Sequence, residues 1–104
     1  MTTKKSDAKL FLESIAGGPL TIGRLVASKR QGEEMTQAEF AKKLGITVSH
    51  VCDIEKGRKF VSPARAARFA KILKRSPEQF VRLALQDEVN EAGLKLRVDV
   101  FAAG

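Results

Sequence analysis

Residues 35–57, M-T-Q-A-E-F-A-K-K-L-G-I-T-V-S-H-V-C-D-I-E-K-G, constrain this chain more than any other stretch. They read as two short helices joined by a glycine turn. Thr36 and Glu39 stand in the T-x-x-E spacing of a capping box, where hydroxyl and carboxylate each accept from a backbone N–H at the helix start. Phe40, Ala41 and Leu44 then fall on one helical face. Gly45 follows, where a helix end needs the left-handed backbone that glycine adopts without strain. Ile46 plugs the turn, Thr47 offers a second capping hydroxyl, and Val51 and Ile54 give the next helix its buried side. Ala41 is small where the two helices would cross. A plain helical hairpin need not meet all these conditions at once, so the combination predicts a helix-turn-helix.

The flanking segments extend this unit into a bundle. Residues 21–32 form a first core helix with Ile22, Leu25 and Val26 inward. After Gly57, Phe60 is expected to return to the core. Ser62-Pro63 starts another helix, hydroxyl capping and proline in the first turn, with Ala66, Phe69, Ala70 and Leu73 buried and Arg65, Arg68 and Lys71 pointing away. Residues 76–79 offer an S-x-x-Q capping box for a last helix. That helix buries Phe80, Leu83, Ala84 and part of Leu85, and Gly93 ends it. The period then changes. Leu94, Leu96, Val98 and Val100 alternate with polar residues, which is a strand signal. A lone strand leaves its backbone groups unpaired. Three outcomes follow: pairing with the same strand of a second subunit, addition to a different protein, or a disordered tail.

The expected fold class is therefore all-α: a compact four- to five-helix bundle containing the helix-turn-helix, plus a short C-terminal β-strand used in dimerisation. Its divisions are an N-terminal extension (1–18), a helix-turn-helix domain (19–90) and a C-terminal tail (91–104). The extension allows a short helix over residues 7–16, broken by Gly17-Gly18-Pro19, and fits either a flap over the core or a contact for a partner.

With 104 residues the chain can bury one modest core. No apolar run approaches the length of a membrane span, and the N-terminus lacks signal-peptide architecture. A single cysteine rules out an internal disulfide and fits a cytoplasmic protein. Net charge is +7 and unevenly spread. Lys56, Arg58, Lys59, Arg65, Arg68, Lys71, Lys74 and Arg75 occur with no acidic residue among them, whereas residues 87–104 set four acidic side chains against Lys95 and Arg97. An isolated basic run is usually a solvated face. This one directly follows the second helix of the motif, which makes a phosphate-facing surface the better reading.

The stretch T-Q-A-E-F-A-K-K-L-G-I-T-V-S-H-V-C-D-I-E-K-G resembles the helix-turn-helix of the XRE family, the Cro and repressor proteins of phages and their bacterial relatives. The resemblance is specific over residues 22–73. It implies a lambda-repressor-like bundle, usually a dimer, that binds operator DNA. It also implies a phosphate contact at Gln37 and an ion pair between Arg30 and Glu55, in agreement with the need of a largely buried Glu for a bidentate partner. The chain departs from the family in having no Gln, Arg or Asn on the reading helix. The segment S-P-E-Q-F-V-R-L-A-L resembles the corresponding part of HigA-type antitoxins, which implies a toxin partner docked on the N-terminal segment or the C-terminal strand.

With Val51 and Ile54 inward, the outer face of the second helix carries Ser49, Cys52, Asp53 and Lys56, bordered by Val48 and His50. Val48, Ser49, Cys52 and Asp53 are the candidates for reading bases. Val48 suits a thymine methyl, Ser49 donates or accepts, and Asp53 either accepts from a cytosine amino group or pairs with Lys56 or Arg58. Thr36, Gln37, Thr47, His50, Lys56, Arg58 and Lys59 are the candidates for phosphate contacts. Cys52 as a redox switch lacks a resolving partner, and a small residue that fits the groove is the plainer reading. One His and one Cys cannot assemble a metal site, and no cofactor is expected. The constellations of an enzyme are absent. The expected function is a sequence-specific double-stranded DNA-binding regulator, a repressor acting as a homodimer on a palindromic operator. The alternative is an antitoxin that binds DNA and neutralises a toxin.

Overall fold

The computed structural model describes residues 20–103. The N-terminal extension, with its short helix and glycine-proline break, lies outside the described residues. Five helices follow one another among them: α1 (Ile22–Gly32), α2 (Gln37–Leu44), α3 (Val48–Glu55), α4 (Pro63–Ile72) and α5 (Pro77–Glu91).

Hydroxyl caps set where four of them begin. Thr21, Thr36, Thr47 and Ser62 each accept from the N–H three residues on. At α2 the Glu39 carboxylate also accepts from the Thr36 N–H at 2.9 Å, which completes the box. That bond holds Glu39 below the usual carboxylate range. Helix α5 departs from expectation. Its predicted S-x-x-Q box does not form, because the Ser76 hydroxyl donates to the Glu78 carboxylate instead. A charge-assisted bond two residues away outcompetes a neutral backbone N–H for the same hydroxyl. Pro77 then supplies the first helical residue.

The core is one apolar cluster in which Phe40, Phe69 and Phe80 are fully buried, with Leu44, Val51, Ile54 and Leu83 around them. Helices α4 and α5 pack most extensively, α2 lies on α3, and α1 crosses α3. The last crossing depends on Gly23, where a Cβ would collide with the Ile54 carbonyl oxygen. Helix α5 also closes the start of α1: the Ile22 N–H donates to Asp87 Oδ2 at 3.1 Å. Burial raises the pKa of that carboxyl, and the Ile22 N–H opposes the shift without cancelling it.

Two further expectations are corrected. Phe60 does not return to the core. It is 52% exposed, at the rim of a hollow lined by Ile22, Gly57 and Asp87, and its neighbour Val61 is buried instead. A loop has no period, so adjacent apolar residues carry no phase. Nor do residues 94–100 form a strand among the described residues. The tail finds a substitute partner in one side chain. Gln86 Nε2 donates to the Leu96 carbonyl at 2.8 Å, and Gln86 Oε1 accepts from the Val98 N–H at 2.7 Å. One side-chain amide thus answers two backbone groups and no ladder extends beyond it. Leu94 and Leu96 remain exposed, Val98 and Val100 are half-buried, and Phe101 is 85% exposed.

Candidate nucleic-acid interface

The α2–α3 unit presents its helix starts and the outer face of α3 to solvent. Val51 and Ile54 are buried, which turns Val48 and Ser49 outward, with Val48 46% exposed. Cys52 and Asp53 follow on the same side and are half-buried. Gly45 makes the turn at φ 73°, and the Ile46 N–H closes back on the Ala41 carbonyl at 3.0 Å.

One carboxylate locks the unit. Glu55, at the end of α3, accepts from Arg30 Nε at 2.7 Å and from Arg30 Nη2 at 3.0 Å, a bidentate pair. The bond to Glu55 raises the Arg30 pKa above its ordinary value. Arg30 Nη1 donates to the Met35 carbonyl, and Gln37 Nε2 donates to Glu55 Oε1 at 3.2 Å. Helices α1, α2 and α3 therefore meet at a carboxylate whose side chain is 8% exposed. Gln37 spends one amide N–H there and keeps a second.

The capping box consumes the N–H groups of Thr36 and Glu39, which leaves those of Gln37 and Ala38 as the donors at the start of α2. At α3 the Thr47 hydroxyl accepts from the His50 N–H at 3.1 Å, and the N–H groups of Val48 and Ser49 remain. Both starts carry the positive end of a helix dipole, where an anion is stabilised.

The basic run divides by geometry. Arg58 Nη1 lies 3.7 Å and Lys59 Nζ 3.9 Å from the Asp53 carboxylate, so Asp53 gathers the loop cations, and Lys56 is not among them. Lys56 caps the end of α3 and is exposed. Arg65 Nη1 sits against the His50 ring. Arg68 points away from the core, as expected, and donates to the Leu44 carbonyl at 2.9 Å, which completes the end of α2. Lys71, Lys74 and Arg75 are exposed. The sequence reading placed Arg65 and Arg68 in the basic run but did not give the partners of Arg65, Arg68, Gln86 and Asp87, since each meets its partner through tertiary packing that no local spacing encodes. Among the described residues no group of His, Cys, Asp and Glu is placed to hold a metal, and no helix is long and apolar enough to cross a membrane.

A surface of this kind suits a polyanion with readable edges. Exposed N–H groups at two helix starts and loop cations can hold phosphates, while the outer face of α3 offers apolar, hydroxyl and carboxylate groups. A family model described as helix-turn-helix matches residues 26–80, more than half of the chain, covering most of α1, all of α2–α4 and the first turn of α5. No curated protein and no solved structure matches the chain. The chain belongs to the Cro/C1-type (XRE) helix-turn-helix family of DNA-binding proteins.

Proposed function

We propose that this protein is a sequence-specific transcriptional regulator that binds double-stranded DNA by placing α3 in the major groove. The observation that carries the reading is the outward face of α3 set between two capped helix starts, within a chain of net charge +7. Val48, Ser49 and Cys52 are assigned to base edges. Asp53 is assigned to steering Arg58 and Lys59, which its distances favour over a base contact. Thr36, Gln37, Thr47, His50, Lys56, Arg58 and Lys59 are assigned to phosphates. Repression follows from occupancy of a promoter.

A homodimer fits this reading. The exposed side chains of Leu94 and Leu96, with Val98 and Val100 beside them, offer an apolar contact for a second copy. A two-fold arrangement of tails sets Lys95 of one copy against Asp99 of the other. Two reading helices about 34 Å apart would require a palindromic site with half-sites one turn apart. The same exposed residues, with Phe101, also favour a second reading: an antitoxin whose tail docks on a toxin protein.

Selection from a pool of randomised duplexes tests the main reading. The expected product is an enriched palindrome whose preference changes with Ser49→Ala. A pool that stays unenriched after selection at physiological salt would contradict sequence-specific binding. A single unpaired half-site, with a monomer in sedimentation, would remove the homodimer and favour the toxin-binding reading of the tail.

A further inference from the structure

Arg65 Nη1 lies 3.4 Å from His50 Nδ1 and 3.2 Å from His50 Nε2. A nitrogen in the ring plane at both distances would collide with the carbon between the two ring nitrogens. Arg65 therefore lies over the imidazole face, a cation on a π surface, where an imidazolium would repel it. The groups around the ring agree. Burial, then Arg65 from α4, then Lys59 from the loop hold His50 below the ordinary histidine range, and only Asp53, one turn along α3, pulls the other way. His50 lies in the first turn of α3 and Arg65 in the first turn of α4, so the pair bridges two helix starts on the side of the protein assigned to DNA.

We propose that Arg65 is a phosphate-contacting residue of the interface, seated over the neutral His50 ring in the free protein, and that His50 takes up one proton when the arriving phosphate screens the guanidinium from the ring. This rests on the reading of the α3 face as the DNA-binding surface. The stack occupies one guanidinium nitrogen and leaves other N–H donors for a phosphate oxygen. The arriving anion offsets the charges of Arg65 and Lys59 that keep the ring neutral. A proton from solvent then joins the free ring nitrogen, which becomes a second N–H donor. The complex binds one more proton per subunit than the free protein, so affinity falls as pH rises.

Because His50 is the single histidine of the chain, its ring proton gives one assignable NMR signal. The full chain is titrated with and without a mixed-sequence duplex at low salt. The imidazole midpoint is expected to rise on binding, and affinity to tighten by up to about tenfold per subunit from about pH 8 to about pH 6. His50→Gln, which cannot take up the proton, should lose the change of affinity between about pH 8 and about pH 6. Arg65→Gln should lower the salt slope by about one per subunit and return the free-protein His50 midpoint toward its ordinary value. A midpoint unmoved by duplex, or an Arg65→Gln slope equal to that of the parent, overturns the proposal while leaving the DNA reading intact. Absence of binding to any duplex at low salt overturns both.

Discussion

The α2–α3 unit and the C-terminal tail carry equally clear sequence patterns and come to different ends. In the unit the bonds that start and turn the helices lie within the pattern's own span, at the Thr36–Glu39 box, the Gly45 turn and the Thr47 cap, while Arg30 and Arg68 add bonds to the Met35 and Leu44 carbonyls from outside it. In the tail the alternation of Leu94, Leu96, Val98 and Val100 chooses a face, but strand hydrogen bonds need a second backbone. Within the described residues the Gln86 side chain answers Leu96 and Val98, and the Leu94 N–H turns back to the Val89 carbonyl. A helix satisfies itself, whereas a strand is a request for a partner. Local pattern therefore fixes structure in the first region and leaves the second without a strand.

The widest contrast comes from truncating an apolar residue in each region. Phe40→Ala removes a fully buried ring and is expected to cost about 3 to 5 kcal/mol in denaturant unfolding. Leu96→Ala should change the stability of the monomer by less than about 0.5 kcal/mol, since Leu96 is 62% exposed. Comparable losses for the two would mean that the tail belongs to the core and would break the contrast. Between these extremes, Glu55→Ala strands the Arg30 guanidinium and the Gln37 amide and should cost about 3 kcal/mol. Gly45→Ala forces a side chain into φ 73° with the end of Arg68 2.8 Å away, for a smaller loss of about 1 kcal/mol.

The smallest effects are in pH dependence, and the two carboxylates concerned have opposite signs. Glu39 titrates below its ordinary value, so its contribution is present above the unfolded pKa and is lost as pH falls through the folded one. Asp87 titrates above its ordinary value, so its contribution is present below the unfolded pKa and is lost as pH rises through the folded one. In unfolding titrations across the carboxylate range, Thr36→Ala should weaken the first dependence and Asp87→Asn should abolish the second. Equal pH profiles for parent and Asp87→Asn would show that the Ile22 cap does not depend on the charge of residue 87.

Most of the helical framework could be read from the chain because caps, proline and the 3.6-residue period agree at Thr21, Thr36, Thr47 and Ser62. The exceptions have physical causes. The Ser76 hydroxyl can either accept from a backbone N–H of the first turn or donate to the Glu78 carboxylate, and the sequence does not rank the two. Glu34 and Lys74 turn the chain with φ of 55° and 57° where no glycine announces it. Gly23 looked like an ordinary helical residue until the Ile54 carbonyl was seen against it. In the interface, spacing put Val48, Ser49, Cys52 and Asp53 on one side of α3. It offered Arg58 as a partner for Asp53, but it could not add Lys59 to that pair or say that Arg68 would serve the end of α2. Charge alone marks a basic run; only packing separates cations that hold the protein together from those left exposed.

The central claim, that the α3 face reads DNA sequence, is tested most directly by fluorescence anisotropy. The full chain is titrated against duplex from upstream of its own gene and against shuffled duplex of equal length, at about 100 and about 200 mM salt. The account predicts preference for the upstream duplex by at least about a hundredfold, persisting at the higher salt, where phosphate-driven binding weakens. Equal affinity for both duplexes, lost together at the higher salt, would contradict it.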